Sequence, residues 1–262
     1  MKKTKRLQPC KPIKAGSSIL GSTVPLVCIP LVGKDENSIM AEAGNIPVIA
    51  PDIIELRIDA WNFVEDVPKS VGMIEKVRSI VGKETPIILT CRGDWEGGFQ
   101  KVGDSAKFTI YAEAVKRGLV DFIDMELKYG QEKISEVLGL LGNSNTHLIV
   151  SFHDFQATPS EEELVSIMER EINAGAHIAK LAAMPECEED VLRILRATLA
   201  VRRKYPDVPI ITMSMGPMGA VTRLIGGFFG SDLTFAVGSS ASAPGQIPVA
   251  ELRQCFGVVY PK

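Results

Sequence analysis

No CxxC pair occurs in the sequence, and its five cysteines (Cys10, Cys28, Cys91, Cys187 and Cys255) are scattered and odd in number. That pattern does not suit a disulfide framework and fits reduced thiols. The basic start, Met1-Lys2-Lys3-Thr4-Lys5-Arg6, is not followed by the apolar segment that an export signal needs. Both absences point to a cytoplasmic protein. Histidine is scarce. His147, His153 and His177 form neither HxH nor HExxH, so no metal site is expected. No run of about 18 apolar residues occurs, so no membrane span is expected. The net charge of -3 gives no electrostatic case for binding nucleic acid or an anionic membrane.

What is present is core material. Of 262 residues, 45% are hydrophobic and 23% charged. This is enough for a large core, and residues 1–262 read as one domain. Strands are expected at Val24–Val32, Pro51–Arg57, Thr85–Arg92, Val120–Leu127, His147–His153, Ala176–Ala182, Val208–Met213 and Leu233–Val237. Helices are expected between and after them, at Lys34–Asn45, Val67–Val81, Ser105–Gly118, Gln131–Leu141, Ser160–Ala174, Glu188–Tyr205, Met218–Phe229 and Ile247–Phe256. Ser160 with Glu163 three residues on is a helix-start signature. The strands are continuous apolar runs, as parallel strands buried on both faces require. Eight strand–helix units in a chain of this length predict an α/β fold, a (β/α)8 TIM barrel. An open doubly wound sheet competes, but closure accounts better for eight full repeats. Residues 1–23 read as a tail plus a short hairpin covering the barrel's bottom.

In such a barrel, chemistry gathers at the carboxyl ends of the strands. Residues two apart on a strand share a face. This groups Ile53, Glu55 and Arg57; Ile88, Thr90 and Arg92; Phe122, Asp124 and Glu126; Ile149, Ser151 and His153; and Ile178, Lys180 and Ala182. Turned inward, these faces collect Glu55, Arg57, Arg92, Asp124, Glu126, His153 and Lys180 at one rim. Taken singly, each has a plain reading. Lys180, in His177-Ile178-Ala179-Lys180-Leu181-Ala182-Ala183, is either a lysine snorkelling off a buried strand or a desolvated amine nucleophile. Arg57 with Glu55 or Glu126 is either a structural ion pair or part of a site. His153 is either a satisfied core histidine or a proton carrier. The coincidence of five strand ends favours a site, because a structural network need not gather at one rim. His153 and Lys180, on neighbouring strands, suit a proton shuttle beside an amine. By the same parity His177 and Cys91 face the helix layer, and His147 lies at the opposite end of its strand, at the surface. Gly97-Gly98 and Gly226-Gly227 read as loop and packing glycines.

Taken in order, six segments resemble type I 3-dehydroquinate dehydratase, the Schiff-base enzyme of the shikimate pathway. They are Glu55-Leu56-Arg57; Thr90-Cys91-Arg92 with Glu96-Gly97-Gly98; Ser151-Phe152-His153-Asp154; Ala179-Lys180-Leu181-Ala182; Met213-Ser214-Met215-Gly216; and Ser240-Ala241-Ser242-Ala243-Pro244-Gly245-Gln246. The resemblance runs from Val24 onward without large insertions. It implies a hydro-lyase acting on 3-dehydroquinate, with no metal or organic cofactor, in a homodimer. It implies that Lys180 forms an imine with the C3 ketone. His153 would remove the C2 proton and protonate the departing C1 hydroxyl, and Glu96 would orient that histidine. Arg223 would pair with the substrate carboxylate. Glu55, Arg57 and Arg92 would hold ring hydroxyls, and Met215 would contact the ring. Ser242 and Gln246 lie in a loop that closes over the substrate in this family. The chemistry is coherent, because a protonated imine is the electron sink that lets imidazole take a proton next to a ketone. The arginines near Lys180 are expected to favour its neutral form through like charge. A class I aldolase, which also uses a barrel lysine imine, is the alternative enzyme. Aldolases of that kind usually bind sugar phosphates near the last two strands, where this chain offers Arg223 but no evident phosphate nest. A non-catalytic binding protein is the alternative class.

Overall fold

The computed structural model describes residues 6–142, 144–238 and 242–260. Ser240 and Ala241 of the loop motif and residues 1–5 of the tail lie outside the described residues. A hairpin of β1 (Ile13–Ala15) and β2 (Ser18–Leu20) comes first. Eight strand–helix units follow. They are β3 (Leu26–Leu31) with α1 (Glu36–Ile49), β4 (Ile53–Arg57) with α2 (Val67–Val81), β5 (Ile87–Thr90) with α3 (Asp104–Lys116), and β6 (Phe122–Glu126) with α4 (Gly130–Leu141). The second half holds β7 (His147–Asp154) with α5 (Glu161–Asn173), β8 (Ile178–Ala183) with α6 (Glu188–Lys204), β9 (Ile210–Ser214) with α7 (Gly216–Phe229), and β10 (Leu233–Val237) with α8 (Val249–Val259). A two-residue strand, β11 (Ile247–Pro248), pairs with β10.

The strands from β3 to β9 pair in parallel in chain order, and β10 returns to pair with β3. At the remaining seam, Ile210 and Ser231 form a parallel bridge, and the Asp232 N–H donates to the Ile210 carbonyl at 2.8 Å. The sheet therefore curls onto itself as the eight-unit periodicity predicts. Strand parity sorts the side chains into two layers. Ile53, Ile88, Phe122, Ile149, Ile178, Ile211 and Leu233 fill the lower barrel interior, and Leu20 of the hairpin plugs it from below. The alternate residues, among them Ile54, Leu56, Leu89, Ile123 and Val150, pack outward against the helices. Burying each large aliphatic side chain contributes roughly 1.5–3 kcal/mol before entropy is counted. The apolar floor leaves only the upper barrel free for polar groups.

Two features depart from the sequence reading. Helix α1 overruns its expected end at Asn45 and continues through Pro47 to Ile49. Ile46 extends the buried stripe of Ile39 and Ala43, so packing favours another turn, which stops at Ala50 in the left-handed region (φ 49°). The second departure is in the tail, which does more than cover the bottom. The Arg6 guanidinium donates to Asp232 Oδ1 at 2.6 Å and to the Ser22 carbonyl at 2.6 Å. Arg202 pairs with the other carboxylate oxygen of Asp232, which also accepts the Ile210 N–H at 2.9 Å. A fully buried carboxylate thus ties the tail to the β9–β10 seam.

Candidate active site

Lys180 stands on β8 with Ile178 below it and the small Ala182 above it. Its side chain is 4% exposed, so it does not snorkel to solvent. The Nζ donates to Asp124 Oδ2 of β6 at 2.7 Å, lies 3.6 Å from Glu55 Oε1 of β4, and sits 4.7 Å above the Phe235 ring of β10. Asp124 Oδ1 accepts from Arg92 at 2.8 Å and from the Ser151 hydroxyl at 2.7 Å. Arg92 also donates to Glu126 Oε1 at 2.9 Å, and Lys107 of α3 donates to Glu126 Oε2 at 2.7 Å. Thr90 donates to Glu55 at 2.9 Å. Three cations (Lys180, Arg92, Lys107) therefore face three carboxylates (Glu55, Asp124, Glu126) in a water-poor interior, which is the condition for keeping all six buried. Burial alone would raise the Asp124 pKa, but the charges of Arg92 and Lys180 outweigh it and hold the group well below the usual carboxylate range. Burial likewise works against the Arg92 charge, and Asp124, Glu126, Glu96 and Glu55 outweigh it, raising that pKa well above the ordinary value. The sequence reading set arginines closest to Lys180. The structure sets the carboxylates of Asp124 and Glu55 there, and Arg92 meets Asp124 through its other oxygen.

His153 stands at the top of β7, beside β8. Its Nδ1 lies 3.1 Å from Glu96 Oε2, and its backbone N–H donates to the same oxygen at 3.0 Å. Burial lowers the His153 pKa well below the ordinary value, and the charges of Arg92 and Lys180 lower it further. The imidazole is therefore neutral near pH 7. With Nδ1–H given to Glu96, Nε2 carries the lone pair, the tautomer a base requires, and the ring lines the cavity. Burial raises the Glu96 carboxyl to about 7, against the opposing pull of Arg92. Glu96 closes a short 3-10 turn, Asp94–Glu96, after β5. Gly97 follows in the left-handed region (φ 80°), where a side chain would run into the Phe155 ring. Asp59, just after β4, holds this loop. It accepts from Arg57 Nε and Nη2 at 2.9 and 2.8 Å, and from the backbone N–H groups of Arg92 and Phe99 at 3.1 and 3.0 Å. Arg57 thus pairs with Asp59, neither with Glu55 nor with Glu126.

Arg223, from α7, is buried with no carboxylate beside it among the described residues. Its donors reach the Pro244 carbonyl at 3.0 Å and, weakly, the Phe235 carbonyl at 3.4 Å and Met213 Sδ at 3.5 Å, and its Nε has no partner among the described residues. Burial lowers its pKa to about 10. A buried guanidinium of this kind is chemically suited to an anionic ligand. The loop carrying Ser242 and Gln246 lies against it. The Gly216 N–H donates to the Pro244 carbonyl at 3.2 Å, and the Gln246 amide and Ser242 hydroxyl bond each other at 3.1 Å. One cavity at the carboxyl ends of the strands is lined by the ten residues to which the resemblance gives roles: Lys180, His153, Glu96, Glu55, Arg57, Arg92, Met215, Arg223, Ser242 and Gln246; Asp124 and Glu126 of the expected rim are not in its lining.

Sequence reasoning missed the supports. Asp59 is not among the residues that the sequence singles out, and its place two residues after Arg57 is the one signal available. Lys107 lies on the buried side of α3 with Ala106, Ile110 and Tyr111, a break in an apolar pattern that could have drawn attention. The Tyr111 hydroxyl accepts the Cys91 N–H at 2.8 Å and donates to the Asp124 carbonyl at 2.9 Å, fixing β5 to β6. Cys91 faces the helix layer as parity predicts, and burial raises its pKa to about 12. His177 accepts the Leu148 N–H at 2.9 Å, far from the cavity. His147 is half-buried against Phe122 and His177, where a free surface position was expected.

The type I 3-dehydroquinase family matches over residues 27–261. The 3-dehydroquinate dehydratase of Bacillus licheniformis is 38% identical over 250 residues, covering 95% of this chain and 98% of that one. A crystal structure of 3-dehydroquinate dehydratase from Geobacillus kaustophilus superposes with a TM-score of 0.92 at 38% identity, over 96% of this chain and 97% of that one. A type I 3-dehydroquinate dehydratase from Clostridium difficile, solved with covalently modified comenic acid, gives 0.90 at 37% identity, over 95% and 98%. A lysine and a histidine share this cavity with a buried arginine, on a barrel and a sequence matched over nearly all of the chain, and the chain belongs to the type I 3-dehydroquinase family.

Proposed function

We propose that the chain dehydrates 3-dehydroquinate to 3-dehydroshikimate through an imine on Lys180. One observation carries the reading. An amine and a neutral imidazole on adjacent strands open on one cavity, whose wall holds a buried guanidinium with no carboxylate partner among the described residues. Lys180 gives up a proton to solvent water, its Nζ attacks the C3 carbonyl, and the adduct's hydroxyl takes a proton back from solvent as it departs. Loss of water from that adduct leaves a protonated imine. His153 Nε2 takes the C2 proton, and the electron pair of the C–H bond moves into the imine as an enamine. The pair then returns to expel the C1 hydroxyl, which leaves as water with the proton that His153 carries. Hydrolysis frees Lys180. Glu96 holds the imidazole through Nδ1. The substrate carboxylate takes the place on Arg223 that the Pro244 carbonyl holds. Glu55, Arg57 and Arg92 receive the ring hydroxyls, Met215 meets the ring, and the loop of Ser242 and Gln246 keeps water off the imine. The family match removes the imine aldolase alternative.

The proposal extends to one catalytic domain over residues 1–262, acting in the cytoplasm as a homodimer. No helix among the described residues is long and apolar enough to cross a membrane. Sedimentation tests the dimer. The central test is borohydride reduction in the presence of 3-dehydroquinate, followed by peptide mass spectrometry. An adduct on Lys180 is the expected result. Turnover with no adduct would replace the imine by an enolate route.

A further inference from the structure

We propose that Glu171 is a positioning residue for Lys180, holding the backbone from which the amine reaches the cavity. Helix α5 packs on the barrel through Leu164, Ile167, Met168 and Glu171, spaced as one helical stripe, and all four are buried. The periodicity calls for an apolar residue at the fourth place, but a fully buried carboxyl stands there. Its Oε2 accepts the backbone N–H of Lys180 at 3.1 Å, and its Oε1 has no partner among the described residues. A half-satisfied buried carboxyl costs stability that a methionine at the same place would not. What it supplies is an anchor from the last turn of α5 to residue 180. The far end of the same residue is held by Asp124 and Phe235. Lys180 is thus fixed at its amide and at its Nζ, which limits how far the amine can drift from the attack position. Burial raises the Glu171 pKa well above the carboxylate range, outweighing the hydrogen bond from Lys180, so the anchor adds no charge behind the amine.

The inference rests on the Lys180 imine. The test compares Glu171→Met and Glu171→Gln with the parent enzyme. Three quantities are read: kcat and KM for 3-dehydroquinate, the rate of the borohydride-trapped adduct, and hydrogen exchange of the peptide containing Lys180. In Glu171→Met, kcat and the trapping rate fall about tenfold, exchange at the Lys180 amide rises, and KM stays within about twofold. Glu171→Gln, which keeps an oxygen acceptor, restores parent values. If Glu171→Met keeps the parent kcat and trapping rate, the anchor is refuted and the imine reading stands. If Glu171→Gln falls as far as Glu171→Met, the acceptor role is wrong. If the parent traps no adduct, the imine reading fails and the anchor with it. Should Glu171→Met not fold, Glu171→Asp replaces it, with a carboxyl one methylene too short. Loss of kcat there, with Gln active, supports the anchor, and a parent-like kcat overturns it.

Discussion

Replacing Asp124 by Asn removes one charge from a buried set of six and leaves its shape almost unchanged. Asp124 is fully buried and serves three donors within 2.8 Å: Lys180, Arg92 and Ser151. In Asp124→Asn, Arg92 keeps Glu126, but Lys180 is left with Glu55 at 3.6 Å. Three cations then face two carboxylates. Removing one partner of a buried pair costs about 3–5 kcal/mol. At roughly 2–4 °C per kcal/mol for a domain near this size, Tm falls by about 6–20 °C. The sign of the pH dependence follows from the depressed Asp124 pKa. Its contribution is present above the ordinary value of 3.8 and is lost as the pH falls below it. The Tm gap between parent and variant is therefore full at neutral pH and narrows in acid. Calorimetry at several pH values measures this. The control is Glu36→Gln, which breaks only exposed pairs with Lys69 and Lys76 and leaves Tm unmoved. A Tm for Asp124→Asn within about 2 °C of the parent would refute the reasoning, because it would mean that the cations do not depend on that charge.

Three further outcomes follow from the same geometry. Lys180→Ala abolishes turnover and borohydride trapping, whereas His153→Ala lowers kcat by about 10²–10⁴ and still traps the substrate on Lys180; near-normal turnover in Lys180→Ala would overturn the mechanism. Because burial raises Glu96 to about 7, its carboxylate forms as the pH rises through that value. kcat should therefore rise through the same window and lose that limb in Glu96→Gln. Glu96 makes its contribution to stability below the ordinary value of 4.5 and loses it as the pH rises to about 7, so a parent Tm that climbs across that range on account of Glu96 would contradict the assignment. Arg6→Ala removes one of two guanidinium partners of Asp232 at the barrel seam, and a Tm drop of a few degrees with unchanged kcat is expected by thermal melt and steady-state assay.

The positions of the strands and helices were legible because backbone geometry imposes periods that need no tertiary information. Helix Val67–Val81 and strand Leu233–Val237 have their expected limits. Alternation along each strand was enough to turn Glu55, Arg57, Arg92, Asp124, Glu126, His153 and Lys180 toward one rim. Helix α1 runs past its expected end at Asn45 because the burial of Ile46 is a property of the packed barrel, which spacing along the chain does not show.

The pairing of charges was not legible. Asp124 and Lys180 are 56 residues apart, and Glu96 and His153 are 57 apart. Whether Arg57 meets Glu55, Glu126 or Asp59 depends on loop paths that parity does not describe. The same holds for Arg6, which reaches Asp232 across 226 residues. Composition and periodicity in the sequence determined a barrel of eight units with its polar rim, because those depend on each residue's neighbours along the chain. The tertiary structure alone decided which carboxylate holds the amine and which acid pairs with Arg57. Those outcomes depend on distances and on desolvation, which exist only once the strands close.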